Sequence, residues 1–361
     1  MDSFINKINF DFHTNQLILK LISFIDSFKG KWNIVESKEN VFLNELRKIA
    51  TIESIGSSTR IEGAKLSNEE IQKLIGNFKI TELKTRDEQE VVGYFDALEI
   101  IYENYSNINI SKNYIQQLHQ ILLKYSKKDE RHRGIYKNMS NKVVANYPDG
   151  TQRVIFETTE PHLVEVEMEN LIEWTNEHLN SKTLHPLIVT GLFIYEFLSI
   201  HPFQDGNGRL SRLLTNLLLL KNNYLFIQYV SFENLIEQKK KSYYEALMDA
   251  QKDRYSESER VDKWMLFFLQ SIESLILRLE QKYDVYKSKG GYLNERQKKI
   301  KEFISNNQPI KLFDISKSMP EVSINTIKKD LQYMKTAQVI ESVGKNKGTV
   351  YILKRKNSEL S

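Results

Sequence analysis

Apolar side chains recur at helical spacing through most of the chain up to about residue 285. The stretches Leu17–Ile25, Phe42–Ile49, Val91–Tyr102, Tyr114–Leu123, Val164–Leu179, Leu187–Ile200, Leu210–Leu220, Tyr243–Met248 and Trp264–Leu279 place them three and four positions apart, the interval that lines one face of an α-helix. The chain holds only six prolines, so these runs are seldom interrupted. A long helix is predicted over Ser258–Tyr286, ending near Lys289-Gly290-Gly291, a boundary signal. One segment departs from the pattern. Lys142–Glu157, KVVANYPDGTQRVIFE, sets two β-rich runs around Pro148-Asp149-Gly150, and Asp-Gly between such runs marks a hairpin. A two-stranded ribbon is rarely stable alone, so this one has to lean on the helices or bind something.

Beyond Gly291 the order changes to helix (Glu295–Ser305), helix (Leu312–Lys317), turn, helix (Ser323–Thr336) and two strands, Val339–Val343 and Thr349–Leu353, joined by Gly344-Lys345-Asn346-Lys347-Gly348. This resembles a winged helix-turn-helix in which Ser323-Ile324-Asn325-Thr326 opens the recognition helix. Lys328, Lys329, Lys345 and Lys347 sit where such a fold meets phosphates. The same fold also serves as a protein-docking module, so DNA and protein both stand as partners for this end of the chain. The expected organisation is mainly α: an N-terminal helical region (1–110), a helical bundle with a β-hairpin (111–286), and a winged-helix-like domain (287–361).

Composition changes this picture little. Among 361 residues, 40% are hydrophobic and 27% charged, which suits a soluble globular protein and excludes a disordered or collagen-like chain. There is no cysteine, which excludes disulfides, a thiol nucleophile and Cys-ligated metal, and makes a reducing, cytoplasmic setting the expectation. The longest aliphatic run, Leu217–Leu220, is far too short for a membrane span, and no secretory signal is evident at MDSFINKINFDFHTNQ. Charge is more informative. Residues 291–361 carry a net +7 and the remainder a net −3, so a basic tail follows a mildly acidic body. A solvated lysine-rich face accounts for that charge as readily as a polyanion site does.

The chemistry concentrates in His201–Arg212, HPFQDGNGRLSR. An apolar helix runs into His201, and Pro202 disfavours helix at the residue before it, so the imidazole stands at a helix-to-loop transition. Gly206-Asn207-Gly208 lets backbone N–H groups converge where the next helix begins, the makings of an anion site. Arg209 and Arg212 lie three apart on that helix, hence on one face, where both can pair with phosphate oxygens. Asp205 brings a carboxylate to this cationic nest, which suits a cation such as Mg²⁺ bridging it to phosphates. His201 can take a proton near neutrality. Taken singly, each has a plainer reading: a helix cap, a turn, an i,i+4 pair between Asp205 and Arg209. Together they are the parts for attack on a nucleotide phosphate.

This segment resembles the motif of the Fic family: His-Pro-Phe, an acidic residue, Gly-Asn-Gly-Arg, two residues and a final Arg. The match is unbroken from His201 to Arg212. The resemblance implies a protein adenylyltransferase that moves AMP from ATP to a Ser, Thr or Tyr hydroxyl of a target protein. His201 would deprotonate that hydroxyl, and Asp205 would hold Mg²⁺ on the α- and β-phosphates. The amides of Gly206, Asn207 and Gly208 would hold the α-phosphate, Arg209 and Arg212 the β- and γ-phosphates, with Leu210 and Ser211 in the same stretch. Phe203 would pack inward and fix the loop. Tyr243 would lie near the nucleoside. The strand Val143–Tyr147, including Val144 and Ala145, would be a flap on which the target's main chain adds as a further strand.

A second motif supports the resemblance. Ser58-Thr59-Arg60-Ile61-Glu62-Gly63 is similar to the family's inhibitory helix, in which the Glu pairs with the last arginine of the catalytic motif. Here Glu62, with Ser58 before it, would occupy Arg212 and leave the α-phosphate misplaced for in-line attack. A homodimer that buries or frees this helix is a mode of control open to such a chain. Transfer of another phosphate-containing group (UMP, a phosphoryl group or phosphocholine) and hydrolytic removal of AMP, with Glu62 aligning water, are alternatives within the same chemistry. A DNA-binding regulator whose body senses nucleotide is an alternative of another class. No Asp-x-Asp pair suited to a two-metal nucleotidyltransferase is evident, and no Gly-Lys-Ser/Thr run marks a P-loop.

Overall fold

The computed structural model describes residues 3–36, 41–77, 82–146, 152–289, 293–337, 339–344 and 348–354. The predicted turn Pro148-Asp149-Gly150, Tyr147, Gly290-Gly291, Lys345 and Lys347 lie outside the described residues. The chain opens with α1 (Ser3–Lys7), α2 (Phe12–Glu36), α3 (Val41–Ile61) and α4 (Asn68–Asn77), followed by α5 (Arg86–Asn104) and α6 (Lys112–Leu122). After a long connection come β1 (Lys142–Asn146) and β2 (Gln152–Glu157), then α7 (Pro161–Ser181), α8 (Pro186–Ile200) and α9 (Asn207–Lys221). A 3-10 turn at Leu225–Tyr229 leads to α10 (Phe232–Gln238), α11 (Lys240–Gln251) and α12 (Asp262–Lys289). The end of the chain holds α13 (Glu295–Asn307), β3 (Ile310–Lys311), α14 (Leu312–Ser318), α15 (Ile324–Thr336), β4 (Ile340–Val343) and β5 (Val350–Leu353).

Two compact units emerge. Met1–Lys38 with Arg47–Ile276 form the first, and Glu39–Leu46 with Leu277–Ser361 form the second. The first unit thus takes in both the N-terminal helical region and nearly all of the stretch expected to be catalytic. The chain passes into the second unit within α12, ahead of the glycine pair.

In the first unit α8 is the central rod. Every residue from Leu187 to Ile200 is buried, as expected of a helix apolar on all sides, with α7 and α9 packed against it. Pro186 opens α8 at a position where a missing N–H is tolerated. At its other end His201 takes a left-handed conformation (φ 53°) before Pro202. The helix α5 packs on α6 and α9, and starts in a capping box formed by Thr85 and Glu88. The strands β1 and β2 pair antiparallel from Lys142 opposite Glu157 to Asn146 opposite Gln152, with a register shift between Val143 and Val144.

The second unit packs α13, α14 and α15 with a three-stranded antiparallel sheet in the order β3-β5-β4. Its core joins Ile300 and Ile304 of α13, Ile315 of α14, Ile327, Leu331 and Met334 of α15, and Ile340 of β4. Ser323 caps α15, its Oγ accepting from the Thr326 N–H. β3 was not expected from the pattern, being only two residues long. No helix among the described residues is long and apolar enough to cross a membrane.

Candidate active site

The loop between α8 and α9 is held at several of its backbone carbonyls. The Lys137 backbone N–H donates to Pro202 O (2.8 Å), and Lys137 Nζ donates to Ile200 O (3.2 Å). Phe203 O accepts from Asn141 Nδ2 (3.0 Å) and from Asn207 Nδ2 (2.7 Å). Asn207 Oδ1 in turn accepts from the Phe203 N–H (2.9 Å). Asp205 O lies 2.9 Å from His119 Nε2. Phe203 is fully buried, as the sequence suggested, lying flat on His119 and edge-on to Tyr136. These contacts make the loop a rigid shelf with ends set by two packed helices.

His201 caps the C-terminus of α8, its N–H donating to Phe197 O. Its Nδ1 lies 3.3 Å from Leu198 O. A carbonyl can only accept, so Nδ1 carries the hydrogen and Nε2 holds a lone pair. Burial, reinforced by the Lys137 ammonium, pushes the imidazole down to about 4, so it is neutral near pH 7. Lys137 is itself buried among Asn141 Oδ1, Thr158 Oγ1 and Ile200 O, and burial lowers its ammonium to about 8. Thr158 follows β2 directly, so this contact ties the strand pair to the loop.

Gly206 stands before α9 with φ 82°, a conformation that costs a side-chain-bearing residue about 1–2 kcal/mol, and its N–H closes on Asp205 Oδ1 (2.6 Å). No side chain caps the helix. The N–H groups of Asn207, Gly208 and Arg209 therefore stand in its first turn with the positive end of the helix dipole behind them.

The two arginines have separate carboxylate partners. Arg209, 1% exposed, sets Nη2 3.2 Å from Asp205 Oδ1 and Nη1 3.4 Å from Glu90 Oε2. Its Nε and Nη1 make no hydrogen bond among the described residues, leaving donors for an anion. Arg86 joins the network, with Nε 2.7 Å from Glu90 Oε1 and Nη2 3.5 Å from Asp205 Oδ2. Burial would raise the Asp205 carboxyl, but Arg209 and the Gly206 N–H outweigh it and hold the group below its ordinary range. Arg212 is clamped by the end of α3. Its Nε donates to Ser58 Oγ (2.8 Å), and its Nη2 to Ser58 O (3.0 Å) and Glu62 Oε1 (2.7 Å). Burial opposes ionisation of Glu62, yet Arg212 keeps its carboxyl below the usual value.

Glu62 also fills space. A β-carbon placed on Gly208 would come within 2.4 Å of Glu62 Oε1, so the carboxylate rests against the first turn of α9, where an anion would bind.

Three of the expected contacts take a different form. The Asn207 side chain closes the loop on Phe203. Leu210 is fully buried, and Ser211 Oγ donates back to Gly208 O. None of these three side chains therefore faces a nucleotide, and the Leu210 N–H already donates to Gly206 O, so of the three only Asn207 keeps a first-turn amide. Tyr243 is buried edge-on to Tyr244 and Trp264, and lines a small cavity with Ser211 and Arg212. Val143, Val144 and Ala145 lie in β1, which pairs with β2 alone among the described residues. Arg86, Glu90, His119, Lys137 and Asn141 were missed in the sequence. Each lies in another segment, and nothing local to it announces its contact with the loop.

Residues 109–219 match the family model described as Fic/DOC family, so that stretch of the chain is a Fic domain. It is 29% identical over 189 residues to the protein adenylyltransferase Fic of Drosophila melanogaster, covering 52% of this chain and 36% of that one. The same protein of Aedes aegypti is 29% identical over 194 residues, with the same coverage. The chain thus spans just over a third of the length of these curated relatives. Among solved structures, a Fic family protein from Desulfovibrio desulfuricans G20 superimposes with a TM-score of 0.63 at 21% identity, covering 95% of this chain and 97% of that one. Fic-1 from C. elegans gives 0.58 at 19% identity, covering 75% and 74%.

Proposed function

We propose that this chain is an autoinhibited protein adenylyltransferase, moving AMP from ATP to a Ser, Thr or Tyr hydroxyl of a protein target. The observation that carries the reading is the uncapped N-terminus of α9, flanked by two buried arginines and approached by the neutral imidazole of His201. In this scheme the target oxygen bonds to the α-phosphorus, the bond from that phosphorus to the pyrophosphate oxygen breaks, and the hydroxyl proton passes to His201 Nε2. The α9 amides hold the α-phosphate, and Arg209 and Arg212 take the charge of the β- and γ-phosphates. The insect relatives are named protein adenylyltransferase, which supports AMP as the group moved.

Asp205 suits Mg²⁺. Its side chain is 30% exposed and offers a hard anionic oxygen, with the remaining ligands left to phosphate oxygens and water. Bound there, the ion would offset charge on the phosphates. The strand β1 is the edge on which we place the target's main chain, with Val143, Val144 and Ala145 supplying backbone hydrogen bonds.

Glu62 is the inhibitor in this reading, since it occupies both the Arg212 guanidinium and the space against Gly208. The test is Glu62→Gly, incubated with Mg²⁺ and ATP labelled at the α-phosphate in a cell lysate, followed by mass spectrometry. Incorporation into protein is expected to rise on the order of tenfold, the effect of removing roughly 1–2 kcal/mol of competing ion pair. No incorporation above the unmodified chain would refute the reading.

The second unit reads as a winged-helix module. Its order of helices and strands, with exposed Lys328, Lys329 and Lys335 on α15, favours a polyanion or an acidic protein surface as its partner. A gel shift at two salt concentrations separates these: a steep loss with salt marks DNA, and no shift marks protein docking.

A further inference from the structure

The ring of His119 meets the catalytic loop by two contacts and is held by a third from outside it. It is fully buried on α6 and lies flat against Phe203, with ring centroids 3.8 Å apart and planes 12° apart. Its Nδ1 accepts from the Gly134 N–H (2.9 Å), and its Nε2 lies 2.9 Å from Asp205 O. Both partners dictate the tautomer. The amide of Gly134 can only donate, so Nδ1 bears a lone pair. The Asp205 carbonyl can only accept, so Nε2 bears the hydrogen. Gly134 has φ 71°, which turns its N–H toward the ring.

The contact falls at the most demanding point of the loop. Asp205 and Gly206 form the turn that launches α9, and a β-carbon on Gly206 would stand 3.4 Å from His119 Nε2. The donated hydrogen bond fixes the peptide plane between Asp205 and Gly206. That plane sets the Gly206 N–H, and through it both the aim of the Asp205 carboxylate and the direction in which α9 presents its first amides.

We propose that His119 is a positioning residue for the transfer reaction, holding the Asp205–Gly206 peptide so that the carboxylate and the α9 amides converge on one phosphate. The proposal rests on the adenylyl-transfer reading above. His119 does not touch the reacting atoms; it acts through the loop.

The test uses the full chain in the Glu62→Gly background, where transfer can be measured. His119→Gln can still donate to Asp205 O through its amide, whereas His119→Leu cannot. Expected for folded His119→Leu is a kcat lower by roughly tenfold to a hundredfold, the scale of a misplacement near 1 Å, with a smaller change in KM for ATP. His119→Gln is expected to recover a substantial part of that kcat. A folded His119→Leu with kcat within twofold of its parent overturns the proposal, as does a His119→Gln no better than His119→Leu. Thermal unfolding establishes which variants are folded. Nitrogen NMR of the unsubstituted chain tests the same claim without substitution: the Nε2–H tautomer supports it, and the Nδ1–H tautomer overturns it. If the Glu62→Gly parent itself transfers nothing, the adenylyl-transfer reading fails and this proposal falls with it. An active parent with indifferent His119 variants removes this proposal alone.

Discussion

Arg60 grips Glu237 with two hydrogen bonds, Nε to Oε1 at 2.8 Å and Nη2 to Oε2 at 3.0 Å, two positions before the glutamate that engages Arg212. The same guanidinium reaches Leu66 O and Asn68 Oδ1, and Lys240 Nζ donates to Ile61 O. The end of α3 is therefore fastened to α10 and α11 independently of Glu62. Cutting this fastening loosens Glu62 without removing it. Glu237→Gln is expected to raise transfer about two- to fivefold, as fits a partly exposed pair worth about 0.5–1 kcal/mol. In the Glu62→Gly background the same substitution is expected to add nothing. Initial rates of label incorporation in the four combinations check this, and equal gains in both backgrounds would show that Glu237 acts elsewhere.

In the proposed scheme His201→Ala removes the side chain that takes the target's proton. We expect kcat to fall by roughly 10²–10⁴ while ATP still binds, because the α9 amides and both arginines remain. Titration of ATP by calorimetry beside the rate assay checks both halves. A near-normal rate would assign the proton to another acceptor.

Acid should affect activity and folding in different windows. In the proposed scheme His201 works as a base when neutral, and burial sets its folded value at about 4 against an ordinary 6.5. In the Glu62→Gly form, kcat/KM is expected to stay level from neutrality to near pH 5 and to fall with a midpoint near 4. A midpoint near 6.5 would mean that the imidazole is solvated. Stability follows the opposite end of the same shift. His119, like His201, is pushed down to about 4 by burial, so the unfolded chain binds these protons first as pH drops. Stability is complete above 6.5 and declines between 6.5 and 4, with His119 alone accounting for a loss on the order of 3 kcal/mol. Melting temperatures across that range check the decline, and replacing His119 with Gln should lessen it while the His201 share remains.

The readable part of this protein is the part whose physics is local. The apolar run Leu187–Ile200 followed by Pro202 places His201 at a helix end, and the glycines at 206 and 208 start α9 where an anion can approach. Paired β-rich runs announced β1 and β2, and the alternation beyond residue 290 announced most of the second unit. The helices that went unread are α1, α4 and α10; α1 has five residues and α10 seven, and α4 buries only Ile71. The supports of the site were hidden for another reason. Glu90 sits among core residues of α5, and His119 on the inward face of α6 looks like any satisfied core histidine. Lys137 and Asn141 lie in the connection before β1, which shows no periodicity at all. Their meaning depends on contacts from distant positions in the chain, and no local pattern encodes those.

The manner in which the loop is fastened bears on how far the motif can travel. Its carbonyls answer to His119, Lys137 and Asn141, all outside the motif and all on the segment from α6 to β1. Transplanting His201–Arg212 by itself into a foreign pair of helices would deliver the reactive side chains with nothing underneath them. A chimera built to retain chemistry has to bring residues 119–141 along as a second, unlinked piece of the same graft.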